Sequence, residues 1–166
     1  MKKQTTGFTL IELILYLSLL VILYLSLFSF LTMAFAGRTK SEAISEVEQQ
    51  GGQIAEIITQ TIRTADSINL PAAGASGSTL SLAFTDASKN PTIFQITNNA
   101  LTIKIGSAAA VPLNNSHVLV SNMVFANYSR ANTPGVIHAS YTITAATSTR
   151  QEFNYVQTFT TGASLR

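Results

Sequence analysis

One carboxylate, Glu12, stands in a stretch from Phe8 to Ala36 that otherwise carries no charge. Placing a carboxylate in a membrane costs about 2.5–3.5 kcal/mol, and such residues usually serve a function. The chemistry open to Glu12 is pairing with a cation. Two opposite charges in a low dielectric attract strongly, and each alone is unfavourable there. A plainer reading stands beside this one: Glu12 lies level with the lipid headgroups, where a charge costs little. Just before it comes Gly7-Phe8-Thr9-Leu10-Ile11. A glycine has no side chain, so the groups of a processing enzyme can approach its backbone closely.

The rest of the chain offers little reactive chemistry. The two histidines, His117 and His138, match no zinc spacing and have no carboxylate cluster beside them. Surface or strand-edge imidazoles account for them. Gly74-Ala75-Ser76-Gly77 lacks the lysine of a phosphate-binding loop. No serine sits in a Gly-x-Ser-x-Gly setting. The acidic residues beyond Lys40 that follow the helix are Asp66, Asp86 and Glu152, too scattered for a calcium loop. There are no cysteines, hence no disulfide framework and no thiolate metal site. Asn114-Asn115-Ser116 and Asn127-Tyr128-Ser129 match the glycosylation sequon, a pattern short enough to arise by chance. The chain is therefore expected not to be an enzyme, and no active site, metal or cofactor is assigned to it.

The elements that must position Glu12 begin with residues 1–7, which are short, polar and made basic by Lys2 and Lys3. As a helix, the apolar stretch after them is about 43 Å long. A bilayer core needs roughly 20 residues, so the stretch spans with length to spare and its end emerges or tilts. The lysines place the N-terminus in the cytoplasm and everything after Lys40 on the far side of the membrane. The run is long for an ordinary secretory signal, although Ala34-Phe35-Ala36 does fit a small-x-small cleavage site. A plain signal anchor is another reading. Net charge is +2, and without Lys2 and Lys3 it falls to zero, which gives no ground for nucleic-acid binding.

Gly7-Phe8-Thr9-Leu10-Ile11-Glu12-Leu13, after a basic leader and before a long apolar helix, resembles the N-terminal signature of the type IV pilin and type II secretion pseudopilin superfamily. The resemblance covers about the first 35 residues. It implies processing by a prepilin peptidase that cuts the Gly7–Phe8 bond and methylates the new N-terminus at Phe8. It also implies that Glu12 faces the N-terminal amine of a neighbouring or the same subunit and so sets assembly register. The implied partners are that peptidase and methyltransferase, other pilin or pseudopilin subunits, an inner-membrane assembly platform and the lipid bilayer. The implied location is the inner membrane, single-pass with the head outside, and then a filament. Many major pilins carry a proline within the membrane helix; here none precedes Pro71, and the soft points are Ser26, Ser29 and Gly37. A melted segment is not expected.

From Ser41 the apolar residues take up a helical spacing. Ile44, Val47, Gly51, Ile54, Ile58, Ile62 and Ala65 form one stripe, with Glu42, Glu46, Glu48, Gln49, Gln53, Glu56 and Gln60 mainly off it. The stripe is expected to pack on the chain's own head, with a coiled coil to another subunit as the alternative. Gly51-Gly52 weakens a helix by about 1 kcal/mol per residue, so a kink or a close contact is expected there. Asn69-Leu70-Pro71 is expected to end the helix.

Beyond it the period becomes two. Leu80, Leu82 and Phe84 alternate; Thr92 to Thr97 and Leu101, Ile103 and Ile105 flank an Asn98-Asn99 turn. Met123 to Tyr128 is another strand candidate. Ile137, Ala139, Tyr141 and Ile143 alternate, as do Phe153, Tyr155 and Phe159 around Gln157. The inventory is about six strands. The expected fold class is α+β: a long N-terminal α-helix, membrane-spanning in its first half and amphipathic in its second, packed on an antiparallel β-sheet head. The division is leader 1–7, transmembrane or filament-core helix 8–36, amphipathic continuation 37–70 and head 71–166. The helical run Gln53 to Ala65, a strand at Val120 to Phe125 and the terminal Thr158 to Arg166 resemble J-type minor pseudopilins or PilW-like minor pilins. The function expected is a structural subunit, minor rather than major. The alternatives are an adhesive or DNA-uptake subunit at a filament tip, and a signal-anchored envelope protein. The dispersed Lys89, Lys104, Arg130, Arg150 and Arg166 argue against DNA.

Overall fold

The computed structural model describes residues 7, 9–130, 133–146 and 155–166. Leader residues 1–6, Phe8, Glu152 and Phe153 lie outside the described residues. The chain divides into two compact units, one ending at Lys40 and the other running from Ser41 to Arg166.

A single helix, α1 (Leu10–Thr64), contributes to both. The leucine-rich sequence favours a helix in the first part, and no proline breaks it. Ser26, Ser29 and Gly37 all lie within it. Ser18 and Thr32 turn their hydroxyls back onto the carbonyls of Leu15 and Ser29, each at 2.8 Å. That satisfies two hydroxyls which have few other partners in an apolar setting. Tyr24 and Phe28, one turn apart, stack with ring centroids 6.4 Å apart.

In the second unit the helix buries the stripe its sequence spacing predicts. Val47, Ile54, Ile58 and Ile62 are fully buried, joined by Ala43, Gly51 and Ala65. Ile44 is half-buried. Burying each large aliphatic side chain stabilises the fold by about 1.5–3 kcal/mol, which more than offsets the poor helix propensity of Gly51-Gly52.

The helix ends at Thr64, not at the expected Asn69-Leu70-Pro71. Ser67–Leu70 instead forms a strand, β1. The cause is tertiary. Asp66 accepts hydrogen bonds from the amide and the hydroxyl of Thr85 through one oxygen, and its own amide donates to the Ala83 carbonyl at 3.0 Å. These bonds draw the chain off the helix axis and into a sheet. Continuation 37–70 is thus a helix to Thr64 and a strand after it.

Eight further strands are described: β2 (Ser76–Gly77), β3 (Leu80–Ala83), β4 (Thr92–Thr97), β5 (Ala100–Ile105), β6 (Val111–Pro112), β7 (Val118–Asn127), β8 (Val136–Ala145) and β9 (Val156–Ser164). The head is two antiparallel sheets rather than one. The first has the order β1-β3-β4-β5-β6, and the second β2-β7-β8-β9. Asn98 and Asn99 both take positive φ, 52° and 59°, and close the β4–β5 hairpin. That is the two-residue turn whose twist matches the strands, and asparagine tolerates it best after glycine. In β7 a third asparagine, Asn122, has φ 52° where the β7–β8 register shifts between Ser121 and Val124. The core joins the helix stripe to Leu80, Leu82, Phe94, Leu101, Val120, Phe125, Ile137, Tyr141 and Ile143. An α+β fold results, with the helix packed on the antiparallel strands.

Candidate functional site

The start of α1 is built by Thr9. Its carbonyl accepts the Leu13 amide at 3.2 Å, the first helical bond, and its hydroxyl accepts the Glu12 amide at 3.4 Å. Thr9 is therefore the N-cap and Glu12 the third helical residue. Thr-x-x-Glu is the pattern of a capping box, in which the Glu side chain can return a bond to the cap's own amide. A carboxylate in the first turn also meets the positive end of the helix dipole. Glu12 thus has a local role in the helix start beside the cation pairing expected of it. The signal was present in Thr9-Leu10-Ile11-Glu12.

Glu12 and Gly7 are both exposed, and nothing lies within 4 Å of the position a Gly7 Cβ would occupy. Phe8, the expected methylation site, is outside the described residues. From Leu10 to Phe35 the large apolar side chains stand 43–79% exposed. The most apolar stretch of the helix is entirely uncovered. The part of α1 after Ser41 is covered by the head; this apolar part is not. It is long and apolar enough to cross a membrane, and Glu12 is its single charge before Arg38.

The head contains several constructed polar contacts, and they serve the fold. Asn127 is buried; its amide donates to the Pro71 carbonyl at 2.7 Å, while its oxygen accepts from the amide and hydroxyl of Ser129. Asn114 accepts from the Leu101 amide at 2.9 Å and donates to the carbonyls of Asn115 and Val118. Both sequon asparagines thus have their side-chain amides engaged in hydrogen bonds within the head. Asp86 accepts from the amide and hydroxyl of Ser88, which together with nearby Lys89 hold its carboxyl below the usual range. His138 meets Tyr128 edge-on at 6.4 Å, and the His117 amide bonds to Asn115. Among the described residues no three His, Asp or Glu side chains converge on a possible metal position.

A close contact in the head lies at Gly51. The Phe159 ring sits against the Gly51 backbone so closely that an added Cβ would be 2.2–2.5 Å from three ring carbons. Tyr141 stacks on Phe159 at 5.7 Å and donates its hydroxyl to the Gly51 carbonyl at 2.7 Å. Of the two outcomes expected for Gly51-Gly52, the close contact is the one found. Burial pushes the Tyr141 phenol well above its ordinary value, with the Ala55 amide partly offsetting the shift.

Compared with family models, curated proteins and solved structures, the chain matches none.

Proposed function

We propose that the chain is a structural subunit, minor rather than major, of a type IV pilus-like or type II secretion pseudopilus filament. One observation carries the reading: an uncovered apolar helix bears a single carboxylate in its first turn, directly after Gly7-Phe8, while the amphipathic half of the same helix is covered by the chain's own head. The resemblance of residues 7–13 to the pilin signature supplies the rest.

On this reading residues 1–7 are a leader removed by a prepilin peptidase, which exposes and methylates the Phe8 amine. The protein waits in the inner membrane, N-terminus in the cytoplasm and head outside. It then passes through the assembly platform into a filament, where apolar helices of other subunits replace lipid around residues 10–35. Glu12 pairs there with a Phe8 amine. Unlike lipid headgroups, a filament interior offers a carboxylate no water, so the pair rewards one axial register. The head acts through its shape, without catalysis.

Glu12→Gln tests this, because a capping box accepts Gln as well as Glu and only the charge is lost. In cells carrying the matching filament system, the variant is expected to be processed normally. Its share of the pelleted filament fraction should drop at least about tenfold, since an unpaired buried amine costs several kcal/mol. Full assembly of Glu12→Gln would overturn the charge-pair role.

A further inference from the structure

The head's two sheets have four edges among the described residues, and three of them are blunted. Strand β1 has four residues and a register shift, β2 has two, and β6 has two with Pro112 among them. The fourth edge, β9, is different. It has nine residues, and it pairs with β8 through nine consecutive partners, Val136↔Ser164 to Thr144↔Val156, without a shift. It contains no Lys, Arg, Asp, Glu or Pro. Exposed edges are ordinarily protected by charge, proline, a bulge or brevity, and β9 has none of these.

The direction of its backbone groups follows from the bonds flanking it. The Tyr155 carbonyl accepts from the Ala145 amide at 3.0 Å, and the Leu165 amide donates to the Gly135 carbonyl at 2.8 Å. Both bonds reach towards β8, and both residues are odd-numbered. In an antiparallel ladder alternate residues bond to opposite sides. Val156, Thr158, Thr160, Gly162 and Ser164 therefore aim their amides and carbonyls at the open side, where no described residue pairs with them. Their side chains are the exposed ones of the strand. The odd positions pack inwards instead, with Phe159 on Gly51 and the Thr161 hydroxyl 2.9 Å from that of Thr59.

We infer that β9 is a pairing edge whose occupant is β9 of a second copy of this chain, aligned antiparallel about a two-fold axis. Two features select that occupant. Among the described residues the edge strands β1, β2 and β6 are two to four residues long, so none of them matches β9 in length. The strand is also uncharged, and β-branched at Val156, Thr158 and Thr160 on its exposed face, so self-pairing places no like charges opposite each other and extends the Thr142–Thr158 contact into further threonine pairs. A two-fold pair is closed and cannot propagate. The pairing rests on the geometry of the strand and does not depend on the filament reading.

The chain has no native cysteine, so single cysteines report without background. Val156→Cys, Thr158→Cys, Thr160→Cys, Gly162→Cys and Ser164→Cys, each in the full chain in membranes, are oxidised mildly and run without reductant. The expected result is a disulfide-linked homodimer at one position near the strand centre and not at its two-residue neighbours. Ser107→Cys, equally open, should stay monomeric. A second substitution, Val156→Lys, adds a charge to the edge and should abolish the cross-link at least about tenfold. Thr160→Pro should do the same while keeping the β8 ladder, because the lost amide faces outwards. Uniform cross-linking at all five positions and at Ser107, or no homodimer at any, would overturn the inference. So would cross-linking only to a different protein.

Discussion

The Tyr141 hydroxyl donates a 2.7 Å hydrogen bond to the Gly51 carbonyl, joining the middle of β8 to the middle of the head helix. The Phe159 ring fills the space that a Gly51 side chain would need and stacks on Tyr141. Three residues from distant parts of the sequence thus hold the helix at one height on the second sheet.

Gly51→Ala and Gly52→Ala should differ in sign. Alanine favours a helix over glycine by about 1 kcal/mol at either site. At Gly51 the methyl meets a stacked ring, and overpacking costs about 1–3 kcal/mol, so a net loss of stability is expected. At Gly52 nothing lies within 4 Å, and a gain of about 0.5–1 kcal/mol is expected. Urea unfolding of the full chain in detergent micelles, followed by tyrosine fluorescence, measures both.

Tyr141→Phe should lose about 1 kcal/mol at neutral pH, the net worth of one buried hydrogen bond. Its pH dependence is more telling. The folded phenol titrates well above its ordinary value near 10, so the stability it contributes is complete below about pH 10. As pH rises further the unfolded chain loses this proton first. The parent then loses about 1.4 kcal/mol per pH unit from this group, and the variant does not. The gap between the two should close by about pH 11. Parallel denaturation curves from pH 8 to 11 test the sign.

Much of this was legible from residue spacing. The helix stripe, the Asn98-Asn99 hairpin and the alternation in Ile137 to Ile143 are local patterns, and each is found as an element. The early end of the helix was not legible, because it depends on Asp66 meeting Thr85 across the sheet. The split into two sheets and the short strands β1, β2 and β6 were likewise hidden, since two-residue strands have no period. At the candidate site the charge of Glu12 was readable at once. The Thr9 cap lies in a Thr-x-x-Glu pattern too short to stand out from the apolar run that follows it.

Asn127→Ala should destabilise the head by about 1–3 kcal/mol, because it leaves the buried Pro71 carbonyl and the Ser129 amide short of partners. Asn115→Ala, at an exposed position whose side chain reaches Glu46, should cost under about 1 kcal/mol. Thermal melts of the two variants beside the parent check the ordering.

Thr9→Ala separates capping from charge. It removes the hydroxyl that accepts the Glu12 amide and should cost the isolated helix end about 1 kcal/mol. With the carboxylate intact, its assembled fraction should stay within about twofold of the parent. A loss as large as that of Glu12→Gln would mean that the helix end, and not the charge, limits assembly. Filament pelleting with both variants side by side gives the answer.

The proposal that this is a processed filament subunit is tested most directly by intact-mass and N-terminal peptide spectrometry of the protein recovered from membranes of cells that contain a prepilin peptidase. The proposal predicts a chain beginning at Phe8 and carrying one N-methyl group. A chain that keeps Met1, or one that begins after Ala36, would contradict it.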